Sequence, residues 1–316
     1  MSRFFYFKGV FIIKSWSYQI LLDESYDPQS IRYLLQKEWL IPRRVVHFLR
    51  IKQHILVNGS YHSINTQVKN GDKINLVFDE SDFNTPIPPF KPDNSIKPDI
   101  LFENDDLLVV NKPSGIKTHA NQPGELGSMM NFLQGYYENQ VYNAYNIHRL
   151  DQFTSGALLV AKNPVVIPVL SREISQKIIK RTYLCVVSGI VTPANGTISL
   201  PIGLDSTDQR KRKINGINAQ RAITHFKVLK HLPESQTLLQ IQLETGRTHQ
   251  IRVHLAHLGY PIVGDPLYNL HNSNGPMLLH SAKIVFPLPF SHINKAINAP
   301  LPNYFPTNKK SSDLKI

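Results

Sequence analysis

The sequence predicts an α+β protein, in which a mixed, mostly antiparallel sheet is preceded by a small αβ domain. Three observations predict this arrangement. Strand-like runs dominate residues 100–305 and mostly follow one another, with few helical stretches between them. A proline-rich segment at 81–99 separates this region from a smaller one at 15–80. Regular strand–helix alternation, a Gly-x-Gly-x-x-Gly motif and a Walker loop are all missing from the sequence, so no nucleotide cofactor is expected.

The composition favours a polyanionic partner. The 316 residues carry a formal net charge of +12 and the pI is about 9.6, which suits nucleic acid or an anionic membrane surface. The only cysteine is Cys185. A disulfide framework within the chain and a cysteine-rich zinc site are therefore excluded, and a reducing compartment, the cytoplasm, is expected.

The N-terminus is apolar, with the sequence MSRFFYFKGVFII. Lys8 interrupts the run, no small-residue cleavage site follows, and the run is too short to span a bilayer. We therefore expect an N-terminal strand or extension rather than a signal peptide. No other stretch reaches transmembrane length, so nucleic acid in the cytoplasm is favoured over a membrane.

Two short helices and a small sheet are predicted for residues 15–80. Ser30 is a plausible cap for a first helix, and Pro42 suits the first turn of a second. Turns are expected at Asn58-Gly59 and at 70–72. The second helix would bury Val45, Val46 and Leu49 and leave four cations outside, Arg43, Arg44, Arg50 and Lys52. Such a surface either grips a phosphate backbone or is simply solvated.

The proline-rich segment 81–99 is expected to be a semi-rigid linker, and the polar tail at 306–316 to be frayed. Between them, the larger domain at 100–305 should contain helices near 128–138, 165–177 and 248–257. All its other regular segments are predicted to be strands.

Three stretches of the larger domain concentrate polar side chains. HRLDQFTSG places Arg149 and Asp151 ahead of an apolar strand. KRTYLCVVSG places Tyr183 at the start of a strand. TGRTHQIRVHLAH carries Arg247, His249, Gln250, Arg252 and His254 into a helix.

Metal and hydrolase chemistry fit these stretches poorly. His254 and His257 share a helical face, but His249 does not join them, whereas a zinc site needs three or four convergent ligands. Ser155 lies outside a nucleophile elbow, and a second clustered carboxylate is missing. No metal is expected. From the residues alone, Asp151 remains either a structural ion-pair partner or a nucleophile kept ionised by arginine.

Two resemblances add to this interpretation. RRVVHFLRIKQHILVNG with VKNGDKI resembles an S4 RNA-binding domain, although Gln53 stands where that family usually has glycine. HRLDQFTSGALLVAKN is similar to the signature of the RluA-type pseudouridine synthases. LLVVNKPSGIKTH, KRTYLCVVSG, LPIGLDSTDQRKRKING and TGRTHQIRVHLAHLGYPIVGDPLYN match further blocks of that family in its order. The chain departs from the signature at Gln152-Phe153, where the family more often has a basic and an acidic residue.

The resemblance implies roles for four residues. Asp151 would be the nucleophile, Arg149 would enter the RNA stack and hold the flipped uridine out, and Tyr183 would stack on the base and move a proton. Arg247 would pair with the aspartate. The fold would be that of a pseudouridine synthase, and uridine isomerisation balances its atoms without a cofactor.

A basic stretch near residues 208–231 is expected to contact phosphates rather than merely solubilise a loop. Its candidates are Arg210, Lys211, Arg212 and Lys213.

The expected substrate is structured RNA. Large-subunit ribosomal RNA is favoured because the S4 domain is seen in the family's ribosomal members, while transfer RNA stays open. A catalytically idle RNA-binding or ribosome-assembly protein and a metal-dependent hydrolase are the rival interpretations. A monomer is expected.

Overall fold

The fold is taken from a computed structural model that describes residues 14–83, 90–138, 140, 142–271, 275–291 and 293–306. The predicted N-terminal strand or extension and the predicted frayed tail lie outside these residues, apart from position 306. So do positions 84–89 of the predicted linker.

The N-terminal part folds into a four-stranded antiparallel sheet with two helical segments. The sheet order is β1-β6-β3-β4, and β2 pairs separately with β5. Its elements are β1 (Ser15–Leu21), β2 (Gln29–Ser30), α1 (Ile31–Tyr33), α2 (Arg43–Ile51), β3 (Ile55–Val57), β4 (Ser60–Tyr61), β5 (Gln67–Val68) and β6 (Lys73–Asp79). A π-helical turn over Leu34–Glu38 continues α1, and a 3-10 turn over Glu80–Asp82 follows β6.

The local signals of this part act as predicted. The Ser30 hydroxyl accepts a hydrogen bond from the Tyr33 backbone N–H at 3.2 Å and so caps α1. The Asn58-Gly59 turn joins β3 to β4, and both of its residues adopt positive φ. The predicted apolar face of α2 is buried.

The larger part contains a ten-stranded sheet. The strand order along its path is β12-β16-β17-β11-β18-β10-β8-β7, with β9 and β19 pairing onto β10 and β18. The elements are β7 (Ile100–Glu103), β8 (Leu107–Lys112), α3 (Met129–Tyr136), β9 (Tyr145–Asn146), β10 (Ser155–Ala161), α4 (Ile167–Ser175), β11 (Lys180–Ser188), β12 (Asn195–Ser199), β13 (Ile202–Leu204), β14 (Arg212–Ile214), β15 (Ile217–Gln220), β16 (Ile223–Leu232), β17 (Gln236–Leu243), α5 (Gln250–His257), β18 (Leu279–Pro287) and β19 (Asn294–Asn298).

Among the described strands of this sheet, only β10 and β18 pair in parallel. The predicted α+β class with a mostly antiparallel sheet is confirmed, as are helices at the three predicted places. The strands β13, β14 and β15 form a separate small sheet beside α5, with β13 between the other two strands.

The sheet has apolar packing on both faces. Leu158 and Val160 of β10 belong to the core beneath α3 and α5, whereas Leu159 and Ala161 face the core beneath α4. Every residue of β10 is buried. The strand that follows the polar signature is therefore packed on both faces, which gives the residues before it a rigid base.

The N-terminal part packs directly against the larger part. Phe290 lies in an aromatic cluster, with ring centroids 4.8 Å from Tyr18, 5.7 Å from Trp39 and 6.1 Å from Phe78. The Tyr18 hydroxyl also donates a hydrogen bond to Asp106 at 2.6 Å. The proline-rich segment is thus not the sole connection between the two parts. The predicted division into domains stays a prediction about independent folding.

Candidate active site

Asp151 lies in a tight turn that leads into β10. The Thr154 backbone N–H donates to the Asp151 carbonyl at 3.1 Å. Gly156 ends the polar signature with φ of +105°, and a Cβ there would come within 2.3 Å of the Ser281 carbonyl oxygen. The parallel approach of β10 to β18 therefore requires glycine, which explains why Thr-Ser-Gly follows the aspartate.

A buried lysine holds this turn from below. Lys112 at the end of β8 is fully buried, and its ammonium donates to three backbone carbonyls, including that of Gln152 at 3.0 Å. Burial lowers the pKa of Lys112 to about 7, although the charge of Asp151 acts in the opposite direction. The Ser114 hydroxyl and the Gln152 side chain add further bonds between the same two loops. The loop that bears Asp151 is therefore rigid.

Arg252 is the arginine that contacts Asp151. Its Nη1 lies 3.3 Å from Asp151 Oδ2, while its Nε and Nη2 donate to the two Asp265 oxygens at 2.7 and 2.8 Å. Arg252 and Asp265 are almost completely buried. Burial opposes the guanidinium charge, but the bonds and charge of Asp265, together with Asp151, outweigh it and raise the pKa of Arg252.

The predicted pairing of Arg247 with Asp151 is therefore wrong. Arg247 is exposed in the loop before α5, and its Nε donates to the Arg221 carbonyl at 3.1 Å. The reason is the backbone at His249, which adopts a left-handed conformation with φ of 58°. The chain turns there, so that Arg247 stays outside while Arg252 enters the interior on α5.

His249 lies beside the same carboxylate. Its Nε2 is 4.0 Å from Asp151 Oδ2, and its Nδ1 is 3.0 Å from the Tyr268 hydroxyl. Burial lowers the pKa of His249 to about 4, so the imidazole is neutral at pH 7. The contact with Asp151 is accordingly not an ion pair, and Arg252 is the cation that balances this carboxylate.

Asp151 is shared by two adjacent cavities. The Tyr183 cavity, of about 610 Å³, is also lined by Arg149, Arg181, Arg247 and the apolar Leu279. The Phe153 cavity, of about 330 Å³, is lined among others by Lys117, His119, Arg149, Phe153 and Arg210. The carboxylate is 17 % exposed and reachable from both.

Tyr183 forms part of the first cavity. The side chain is buried, and burial raises the pKa of its hydroxyl; nearby Arg181 opposes this shift, whereas Asp151 adds to it. The hydroxyl therefore remains protonated at neutral pH. The structure brings Tyr183 and Asp151 to one cavity.

Arg149 is exposed and lines both cavities. Its neighbours are fixed: His148 Nε2 accepts from the Leu159 backbone N–H, and Leu150 exchanges two hydrogen bonds with Thr118. Burial lowers the pKa of His148 to about 3, which keeps it neutral. Anchored neighbours leave the Arg149 side chain projecting over the cavity mouths.

The four cations predicted near α2 lie in two different environments. Arg43, Arg44 and Arg50 are exposed. Lys52 is not available as predicted, because its ammonium is 3.0 Å from Asp79 and 2.6 Å from Asp82. Asp82 is buried and needs a cation, so Lys52 closes the end of the N-terminal sheet.

The basic stretch that begins at residue 208 also has internal contacts. Arg210 forms a two-pronged ion pair with Asp208 at the rim of the Phe153 cavity, and Arg212 donates to two neighbouring carbonyls. Lys213 is exposed and Lys211 is partly so. Arg210 is therefore placed at the site, while Arg212 mainly stabilises the loop.

Among the described residues, no group of three or more His, Cys, Asp or Glu side chains could hold a metal ion. His254 is occupied by Thr224 Oγ1 and the Leu200 carbonyl, each at 2.9 Å. In the same part of the chain, no helix is long and apolar enough to cross a membrane.

Arg252, Asp265 and Lys112 could not be assigned a role from the sequence. One signal was present for Arg252: it is an arginine between Ile251 and Val253 on a helix, and a cation among apolar residues requires a carboxylate. The partner of Asp265 is distant in the sequence, and the partners of Lys112 are backbone carbonyls. The spacing of residues in the sequence reveals neither.

Both parts of the chain are similar to known protein families. Residues 106–257 match the family model described as RNA pseudouridylate synthase, and residues 18–74 match that described as RluD ribosomal pseudouridine synthase N-terminal domain. The chain is 37% identical over 253 residues to the uncharacterized RNA pseudouridine synthase YhcT of Bacillus subtilis, covering 79% of this chain and 82% of that protein.

One further relative and one solved structure agree with these matches. Ribosomal large subunit pseudouridine synthase D of Escherichia coli O6:H1 is 34% identical over 73% of this chain and 67% of that protein. The solved structure of human RNA pseudouridylate synthase domain containing 1 has a TM-score of 0.57 at 26% identity, covering 67% of this chain and 87% of that one.

Proposed function

The chain belongs to the RNA pseudouridylate synthase family, and from this premise we propose that it isomerises specific uridines in large-subunit ribosomal RNA with Asp151 as the nucleophile. The observation that carries the proposal is the Asp151 carboxylate, which stands open to the Tyr183 cavity and is held by the buried guanidinium of Arg252. A carboxylate held in this way is rigidly aimed and can act as a nucleophile.

The reaction breaks the C1′–N1 bond of uridine, rotates the uracil and joins C5 to C1′. The proton lost from C5 is balanced by one gained at N1, so nothing else is consumed. Attack of Asp151 at C6 of the base and its action at the sugar through an elimination both use the same carboxylate.

The target base has to leave the RNA stack, at a cost of a few kcal/mol. Arg149 is exposed at the mouths of both cavities, where it can fill the gap that the base leaves. The flipped uracil then enters the Tyr183 cavity. The Tyr183 hydroxyl, protonated at neutral pH, can donate a proton to the uracil once the glycosidic bond breaks.

Ribosomal RNA is supported as the substrate by two observations. Residues 18–74 resemble the N-terminal domain of a ribosomal pseudouridine synthase, and several relatives act on the large subunit by name. The exposed arginines of α2 suit a phosphate backbone. Transfer RNA is the alternative substrate and is compared directly in the experiment.

The test is release of tritium from RNA labelled at C5 of uridine, with large-subunit ribosomal RNA and transfer RNA as parallel substrates. We expect release from ribosomal RNA, and none above background from Asp151→Asn, which should still bind RNA. Turnover by Asp151→Asn within about tenfold of the unsubstituted protein would refute the nucleophile, because that loss should raise the barrier by several kcal/mol. An unsubstituted protein that binds RNA but releases no tritium would be an idle binding protein.

A further inference from the structure

Phe153 is an exposed aromatic residue at the centre of a basic site. The residue is 37% exposed and lines the Phe153 cavity, whereas Tyr183 lines the other cavity. Lys117, Arg149 and Arg210 line the same cavity. Phe153 therefore presents an apolar ring among cations.

The position of Phe153 is fixed by its backbone. The Ser114 hydroxyl donates to the Phe153 carbonyl at 2.7 Å, and the preceding Gln152 is held through its own carbonyl by Lys112 and the Gly115 N–H. An aromatic ring on so rigid a turn loses little further freedom when a ligand stacks on it.

His119 also lines this cavity. Burial, together with the charge of Arg149, lowers the pKa of His119, so the ring is neutral at pH 7. The imidazole therefore adds no charge to the cavity.

We propose that the Phe153 cavity is a second nucleotide subsite, in which an unpaired base adjacent to the target uridine stacks on Phe153. This subsite rests on the proposed function. The target base takes the Tyr183 cavity, so the Phe153 cavity, of about 330 Å³, is left for a neighbour. Aromatic residues in positively charged grooves bind bases of single-stranded RNA in this way.

A base fits this cavity better than a phosphate alone. Two of the lining cations already have carboxylate partners, because Lys117 pairs with Glu125 and Arg210 with Asp208. The Phe153 ring, by contrast, is an exposed apolar surface of this cavity. The subsite therefore selects RNA with an unpaired nucleotide next to the target, and Phe153 is the residue that determines this selection.

The first measurement compares kcat and KM on an RNA that the unsubstituted protein modifies. Phe153→Ala should raise KM about tenfold and change kcat less than about threefold, as expected for loss of one base stack. Phe153→Trp should restore KM. Tyr61→Ala is the matched control, since Tyr61 is equally exposed, at 37%, but lines neither cavity.

The second measurement changes the RNA. An abasic residue on the 5′ or the 3′ side of the target should raise the KM of the unsubstituted protein about tenfold on one of the two sides. The KM of Phe153→Ala should not rise further when that abasic RNA replaces the intact RNA. The fluorescence of 2-aminopurine at that position should be quenched when the RNA binds to Asp151→Asn. Adding Phe153→Ala to the Asp151→Asn protein should abolish the quenching.

The outcomes separate the two proposals. Equal KM values for the unsubstituted protein and Phe153→Ala, on an RNA that is turned over, would overturn the subsite and leave the proposed function intact. Fully additive losses from Phe153→Ala and both abasic RNAs would also overturn it, because they would mean contact with the RNA backbone. Absence of turnover by the unsubstituted protein on every RNA would instead refute the proposed function.

Discussion

The cations around Asp151 and those on α2 differ in what surrounds them. Arg252 is 2% exposed and touches two carboxylates, whereas Arg43 and Arg50 are exposed. A buried charge with fixed partners determines the geometry of the groups around it. Its removal leaves the partner charge buried without a counter-charge. An exposed charge contributes a small term that salt screens. The same residue type thus serves chemistry in one region and attraction of RNA in the other.

The two regions should consequently fail in different ways. Substitution of Arg252 or Tyr183 should lower kcat, because it disturbs the proposed nucleophile or the proposed proton donor. Substitutions on α2 should raise KM in a salt-dependent manner and leave kcat unchanged.

The largest effect within this comparison is expected for Arg252. Arg252→Lys keeps the charge but loses the planar fork that spans Asp265 and Asp151, so kcat should fall about 1,000-fold. Arg247→Ala is the matched control: it removes an exposed arginine from the loop before the same helix, and should raise KM roughly fivefold with kcat nearly unchanged. Single-turnover rates at saturating RNA measure both.

Thermal unfolding of Arg252→Lys has to accompany those rates, since a misfolded variant would also be inactive. If Arg247→Ala loses more of the saturated rate than a folded Arg252→Lys, the roles of the two arginines are reversed and the ion-pair geometry does not describe the working enzyme.

Tyr183→Phe is expected to have the next largest effect. The ring that lines the cavity is kept and only the hydroxyl is removed, so kcat should fall about 100-fold while RNA affinity changes less than about threefold. Equilibrium binding and single-turnover rates on one RNA separate the two quantities. Normal turnover would make Tyr183 a stacking platform alone.

Exposed arginines should act through KM. The triple substitution of Arg43, Arg44 and Arg50 by alanine should reduce the slope of log KM against log salt by about 2–3, because each arginine that neutralises a phosphate contributes roughly one to that slope. Lys52→Ala is the contrasting variant. It should leave the slope almost unchanged and lower the free energy of unfolding by about 2 kcal/mol, because Asp82 would be left buried without its cation.

Point substitutions test this surface better than removal of the N-terminal part. Truncation would expose Phe290 and the Val165 and Val169 side chains, which share a core with that part. An unchanged salt slope in the triple variant would show that α2 is a solvated basic face, and that the N-terminal part binds RNA elsewhere or not at all.

The smallest effect on turnover, with a measurable effect on stability, is expected at Glu173 of α4. Its Oε2 is buried and has no hydrogen-bond partner in the described part of the chain, and burial raises its pKa from 4.5 to about 7. The folded state therefore holds a proton that the unfolded state has released. Stability should fall as pH rises from about 4.5 to 7, by on the order of 2–3 kcal/mol.

Glu173→Gln removes that titration. Denaturant unfolding between pH 5 and 7 should show the variant gaining stability over the unsubstituted protein as pH rises, with kcat on RNA unchanged. A stability difference that stays constant over this range would mean that Glu173 has a partner for its charge.

The amino-acid sequence was sufficient for features that depend on neighbouring residues. The Ser30 cap, the Asn58-Gly59 turn, the buried face of α2 and the location of three helices follow from local backbone preferences and from the spacing of apolar residues. The polar signature around Asp151 was recognisable because a tight turn, an acidic residue and an essential glycine are close together in the chain.

Only the tertiary structure decided which groups meet. Asp151 and Arg252 are 101 positions apart, and Arg247 and Arg252 lie on opposite sides of the left-handed residue His249. Whether Lys52 faces solvent or Asp82 likewise depends on how β6 ends. Local preferences act over a few residues, whereas pairing of buried charges is settled by the folding of the whole sheet, because burial makes an unpaired charge too costly to keep.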